Sequence, residues 1–134
     1  MLHPSLVTFV IANALGLYMI AAGLGLLIDP ERGTKLVDDL ERSPGLMYLI
    51  AVVAFTVGAL IILFHPYLFS VLSVIVTLIG LAALLEGLVL LIYPSIWFAL
   101  ARPFMRHLRI FAAVTIVFGA VLLFAGLTGH DYYL

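Results

Sequence analysis

The sequence predicts an all-α integral membrane protein: four transmembrane helices forming two parallel-repeat helical hairpins, with short interfacial helices on the cytoplasmic side. Three observations lead there. Of 134 residues, 66% are hydrophobic and 10% charged, against about 45–50% and about 25% in soluble domains. The mean hydropathy is +1.32. The charges are also gathered between long apolar runs, leaving too few to cover a water-facing surface.

The elements follow in order along the chain. Met1 to Ile28 carries no Asp, Glu, Lys or Arg. It has no basic start and no small-residue cleavage pattern, so it reads as a retained span rather than a signal peptide. Asp29 to Arg42 then holds eight charges in fourteen positions, a water-exposed connection. Ser43 to Leu85 runs for 43 residues without a charge, too long for one helix across about 30 Å at about 1.5 Å per residue. It must hold two spans, and His65-Pro66 marks the break, because proline disfavours helix in the residue before it and suits a new first turn. Pro94 ends the third span, and Ile110 to Leu127 forms the fourth. The expected helices are 5–28, 46–64, 67–93 and 110–128 in a single membrane domain, 1–134.

All six basic residues, Arg32, Lys35, Arg42, Arg102, Arg106 and Arg109, fall in the first and third connections. The positive-inside rule makes those connections cytoplasmic, so both termini and the 65–68 turn are expected on the other side. Tyr67, Tyr132 and Tyr133 suit an aromatic belt there.

The alternation of long and short connections points to a duplication. Gly16–Pro30 laid over Gly80–Pro94 at an offset of 64 gives eight identities in fifteen, including Gly16/Gly80, Gly23/Gly87 and a shared Leu-Leu-Ile before the proline. Val57-Gly58-Ala59 lies over Phe118-Gly119-Ala120, and His3-Pro4 over His65-Pro66, with small shifts of offset. Repeat one is thus 1–64 and repeat two 65–134. With two spans each, the repeats share one orientation, related by an axis along the membrane normal.

Glu86-Gly87-Leu88, Tyr93-Pro94, Trp97, the basic stretch Arg102 to Arg109 and Gly119 together resemble the YjeT-like family of small, uncharacterised bacterial inner-membrane proteins. The second half carries the resemblance; the first keeps Gly23-Leu24 and Pro30 but has Ala22 for the glutamate and Gly33 for the tryptophan. The resemblance implies a bacterial inner membrane and supplies no activity.

Glu86 is the one formal charge inside an expected span. It lies about 12 Å from the Pro94 end at about 1.5 Å per residue, where an acid costs about 2.5–3.5 kcal/mol to insert. It reads either as a proton-relay or binding carboxylate facing the bundle interior, or as an acid paired with Arg102, Arg106 or Arg109 folding back. Asn13, opposite Thr77 in the repeat, suggests a polar contact between copies. Thr8, Thr56, Ser70, Ser73, Thr77 and Thr115 can bond back to their own helices and carry little information.

His3 and His65 are weak metal candidates, with His130 and Asp131 as further ligands; helix-start chemistry explains both His-Pro pairs more simply. The connection Asp29–Gly45 has net charge −2 and Ser95–Arg109 has +3. Both read as amphipathic interfacial helices. The first has Glu31/Lys35 and Asp38/Arg42 at i,i+4 spacing and an apolar stripe of Leu36, Val37 and Leu40. The second sets Ile96, Trp97, Leu100, Ala101 and Phe104 against Arg102 and Arg106. The two stretches read either as a docking surface for a cytoplasmic partner or anionic lipid head groups, with Trp97, Phe104, Arg32 and Lys35 as the docking candidates, or as complementary charges that only pair with each other and anchor the hairpins. Small residues at four-residue spacing (Ala12/Gly16, Ala21/Gly25, Ala54/Gly58, Ala83/Gly87, Thr115/Gly119) allow close helix approach.

The net charge of −1 argues against nucleic acid as a partner. The lack of cysteine removes disulfides and thiolate metal sites. A lone carboxylate offers no acid/base pair, so neither catalysis nor a cofactor is expected. The expected role is a non-enzymatic accessory or scaffold subunit, with the lipid bilayer and other integral membrane proteins, or further copies of itself, as partners. The alternative is a homo-oligomeric channel or small proton- or cation-linked transporter using Glu86.

Overall fold

A computed structural model describes residues 3–132, which form six helices: α1 (Pro4–Ile28), α2 (Glu31–Arg42), α3 (Pro44–Phe64), α4 (Val71–Ile92), α5 (Pro94–Met105) and α6 (Leu108–Thr128). Four of them, α1, α3, α4 and α6, are long and apolar enough to cross a membrane. At most 22% of the most apolar stretch of any of these is buried inside the chain. Side chains such as Leu17, Leu63 and Val117 are more than 60% exposed, an arrangement that lipid accommodates and water does not. The chain is a multi-pass membrane protein.

Prolines and serines set the helix boundaries. Pro4, Pro44 and Pro94 stand in the first turns of α1, α3 and α5, where the missing N–H has no helical partner to lose. The Ser43 hydroxyl accepts from Leu46 N at 3.3 Å to cap α3. The third span was expected from residue 67, yet α4 starts at Val71. The reason is a capping box: the Ser70 side chain accepts from Ser73 N at 3.1 Å, and Ser73 Oγ accepts from Ser70 N at 2.9 Å. That pairing outweighs the helix-start preference of Pro66. Tyr133 of the expected aromatic belt lies outside the described residues; Tyr132 is exposed and Tyr67 half-buried.

The expected hairpins would pack α1 on α3 and α4 on α6. The extensive interfaces instead join α1 with α6 and α3 with α4, and a smaller one joins α1 with α4. Connection length accounts for the difference. The turn at 65–70 keeps α3 beside α4, whereas α2 and α5, twelve residues each, separate the spans that they connect.

Glycines make both large interfaces close. A Cβ on Gly16 would stand 2.7 Å from Gly119 O and 2.7 Å from Leu123 N. One on Gly58 would stand 2.6 Å from Leu84 Cα and 2.7 Å from Gly80 O. Only hydrogen fits at either site. Gly25, by contrast, meets nothing nearer than the Arg32 guanidinium at 3.4 Å, so the Ala21/Gly25 pair does not serve a helix contact. Where the two helix pairs meet, Ala12, Ile61, Leu72, Val76 and Leu122 form the buried core.

Candidate functional site

The polar residues gather at the two ends of the bundle. At the end carrying the termini, His65 is fully buried in the α3–α4 turn. Its Nε2 lies 2.7 Å from Thr8 Oγ1 of α1 and its Nδ1 3.1 Å from Thr77 Oγ1 of α4. Thr8 donates its own hydroxyl proton to Pro4 O at 3.1 Å, so it accepts from Nε2–H, and Thr77 donates to Nδ1. One neutral tautomer satisfies these three bonds, with Tyr67 O at 3.3 Å and His65 O at 3.4 Å as longer, competing acceptors for the single Thr77 hydroxyl proton. Burial pushes the imidazole below its ordinary value, opposed in part by a backbone hydrogen bond. The Tyr67 ring meets His65 edge-on at 5.5 Å. The node ties α1, the turn and α4 together across the smallest of the three helix contacts.

Beside it, the start of α4 is held by the C-terminal segment. Val71 N donates to Tyr132 O at 2.9 Å and Leu72 N to Asp131 Oδ1 at 3.1 Å. A carboxylate at a helix N-terminus is favourably placed against the helix dipole. His3 bonds Ser5 at 2.6 Å, and His130 stacks on Phe124 at 6.1 Å. The four residues considered for a metal therefore have separate partners, and the described residues include no group of three or more His, Cys, Asp or Glu able to hold an ion.

Asn13 does not meet Thr77. Its amide packs against Gly126 of α6, where only a glycine leaves room, and its Oδ1 is buried without a hydrogen-bond partner. Thr77 is occupied by His65. Thr56 and Thr115 do bond back to their own helices, at 2.7 Å and 2.8 Å.

At the other end, α2 and α5 lie against each other. Arg102 Nη1 pairs with Asp38 Oδ1 at 3.2 Å, and Nη2 pairs with Glu41. These two carboxylates raise the guanidinium further above its already high ordinary value. The opposite charges of the two connections thus meet directly. Asp38 was expected to pair with Arg42; Arg102 has taken it, because a guanidinium can fork between two acids where an i,i+4 neighbour reaches one. Glu31 and Lys35 do pair, at 3.4 Å on an exposed surface. Arg32 lies against the end of α1 near Gly25. Gly33, standing where the second repeat has Trp97, is covered by the Leu108 side chain at the start of α6.

Glu86 is exposed on the outside of the bundle, facing neither the interior nor an arginine. It lies about 9 Å from the end of α4 at about 1.5 Å per residue. The Trp97 indole N–H donates to Glu86 Oε1 at 3.0 Å, so α5 folds back at Pro94 and covers the carboxylate from the side. Both expected placements give way to this one. The Trp97 side chain is half-buried and also packs edge-on against Phe98, the buried residue of α5, at 5.1 Å. Phe104 is exposed and meets Phe111 of α6 at 4.9 Å. The apolar face expected on α5 is thus divided: Trp97 and Ala101 turn inward beside Phe98, while Ile96, Leu100 and Phe104 are left outward.

Arg106 and Arg109 have no acidic partner among the described residues. They border a cleft of about 430 Å³ between the start of α2 and the α5–α6 turn. A second cleft of about 510 Å³ adjoins it, sharing Thr34, Met105 and Arg106.

The sequence alone gave no signal for the His65 node, since its two threonines look like any others in an apolar helix. The spacing of Trp97 eleven residues beyond Glu86 was a usable signal for the contact across the Pro94 bend. No family model, no curated protein and no solved structure matches this chain.

Proposed function

We propose that this chain is a non-enzymatic accessory or scaffold subunit that packs against other integral membrane proteins, or further copies of itself, through its spans and the α2/α5 end. The observation that carries this reading is the use made of the polar side chains in the helices. Thr8, His65, Thr77, Ser70, Ser73 and Asp131 all serve to join or cap helices. What remains on the outside is a set of span faces that are apolar apart from Glu86 and a few hydroxyls bonded to their own helices, with two short helices at one end.

The duplication belongs to this reading. Moving Gly16 forward by 64 and Gly119 back by 61 gives Gly80 and Gly58, which contact each other as the first pair do. The α1–α6 and α3–α4 interfaces then correspond under an axis along the membrane normal. The basic residues of α2, α5 and the α5–α6 junction support a cytoplasmic location for that end by the positive-inside rule, with both termini opposite. The resemblance to the YjeT-like family favours a bacterial inner membrane.

The test is purification from native membranes in mild detergent. A stoichiometric membrane partner or a defined oligomer is expected; a free monomer with nothing retained contradicts the proposal.

A second reading, a homo-oligomeric channel or small proton- or cation-linked transporter, draws on the outward position of Glu86, where neighbouring copies would meet. A path through a single bundle would not include this carboxylate. Glu86→Gln should then abolish a proton- or cation-dependent flux in liposomes, and an absent or unchanged flux refutes it.

A further inference from the structure

The cleft at the α5–α6 turn has the chemistry of a phosphate site at a membrane surface. Its rim carries Arg106, His107 and Arg109 on one side and Pro30, Glu31 and Thr34 on the other. Glu31, the one acid there, already faces Lys35 at 3.4 Å. Arg102, in the adjoining cleft, is taken up by Asp38 and Glu41. Among the described residues, Arg106 and Arg109 therefore have no ion-pair partner, and they give the cleft a net positive charge.

Their position adds a second constraint. Arg109 is the second residue of α6, a membrane-length helix, so its charge stands at the boundary of the apolar span. The lining is partly apolar: Ile110 lines the cleft and is 63% exposed, and Ile28, two residues before the lining residue Pro30 and at the end of α1, is 83% exposed. A soluble phosphate would engage the rim alone. An amphiphile with a phosphate head and hydrocarbon tails would engage both.

We infer that this cleft binds the headgroup phosphate of an anionic phospholipid, with Arg106 and Arg109 as its charge partners, Thr34 as a hydroxyl donor, and the acyl chains lying along Ile28 and Ile110. The inference rests on the interfacial position proposed above for α2 and α5, but requires no protein partner. Each arginine near an anionic membrane surface contributes about fivefold in affinity, about 1 kcal/mol. Loss of both should therefore weaken binding by about 25-fold.

The experiment is native mass spectrometry of the purified chain in uncharged detergent, titrated with dioleoyl phosphatidylglycerol or dioleoyl phosphatidylcholine. Phosphatidylglycerol should bind more tightly by about 25-fold, the product of the two arginine contributions. Arg106→Gln and Arg109→Gln should each reduce its binding about fivefold, and the double variant should bring it to the phosphatidylcholine level. Arg42→Gln, which lines neither cleft, should leave it unchanged. If the double variant does not fold, the preference of the unaltered protein and the retention of binding by Arg106→Lys decide instead. Equal binding of the two lipids, or an equal loss in Arg42→Gln, overturns the inference. Displacement of the lipid by glycerol 3-phosphate at equal concentration would assign the cleft to a soluble phosphate and also overturn it. Because no partner is present, failure here leaves the accessory-subunit reading to its own test.

Discussion

Gly58→Ala is the sharpest probe of how the spans are held. The added Cβ would lie 2.6 Å from Leu84 Cα and 2.7 Å from Gly80 O. Both neighbours are backbone, so no rotamer change relieves the contact. The Cβ would also overlap Leu84 N, which stands nearer still, so reaching the 3.4 Å of an ordinary contact requires the α3 and α4 backbones to part by more than the 0.8 Å that Leu84 Cα alone demands, and a radial gap of about 0.5–1 Å already forfeits a quarter to a half of the dispersion well along the opened contact. Overpacking of this kind costs about 1–3 kcal/mol, and alanine's helix preference, about 0.8–1 kcal/mol over glycine, offsets part of it. The net expectation is a loss of about 0–2 kcal/mol, toward the upper end because the overlapped atoms are backbone. Gly45→Ala is the control, because a Cβ there meets nothing within 4 Å; it should be neutral or mildly stabilising. Reversible unfolding in mixed micelles with increasing dodecyl sulfate, followed by helicity and by the single tryptophan, Trp97, measures both. Unfolding of Gly58→Ala within about 0.5 kcal/mol of Gly45→Ala, the scatter of inert surface changes, would refute the close α3–α4 contact.

Two further outcomes follow from the same packing. His65 is buried neutral with its pKa lowered by desolvation, so the unfolded chain binds the extra proton as pH falls below about 6.5. The stability from the neutral ring is complete above that pH and is lost as pH falls toward the folded value. His65→Gln should cost about 1–3 kcal/mol at neutral pH through lost hydrogen bonds, and the difference from the unaltered protein should shrink in acid; a pH-independent difference refutes the neutral assignment. In a chain without cysteine, Met19→Cys combined with Gly119→Cys brings together Cβ positions 2.9 Å apart, and they reach the spacing of a disulfide, about 3.5–4.5 Å, once α1 and α6 part enough to free the new Cβ from Gly16 O, 2.8 Å away. Peptide mass spectrometry after mild oxidation should find that bond in high yield, and a higher yield for Met19→Cys with Val57→Cys would restore the α1–α3 hairpin.

The four spans were readable because a continuous apolar run longer than the bilayer core has few other uses. Their boundaries were readable where proline marks the first turn of α1, at Pro4, and the end of the third span, at Pro94, but not at Pro66. There the signal lay in the Ser70–Ser73 reciprocal cap, which is visible in the sequence only when two serines three apart are weighed above a proline. Which spans touch was not readable from the repeat. A duplicated pair of helices packs equally well within each copy or between copies, and the choice falls to connection length and to which glycines face each other. The charge complementarity of the two connections did anticipate their contact, though not that Arg102 alone makes both ion pairs. Glu86 was readable as a residue needing a partner, and an indole N–H on the next helix fills that need. The His65 node was hidden because burial, rather than residue type, makes a turn histidine and two threonines a network.

The proposal that outward span faces meet another protein is tested most directly in the membrane itself. A photoreactive side chain placed at Leu17 on α1 or Val117 on α6, 62% and 64% exposed, samples those faces, and one at the fully buried Ala12 serves as control. Irradiation of intact membranes should give a discrete protein adduct, with a second chain or another copy of this one, from at least one outward position and none from Ala12. Lipid adducts alone from both outward positions would contradict it.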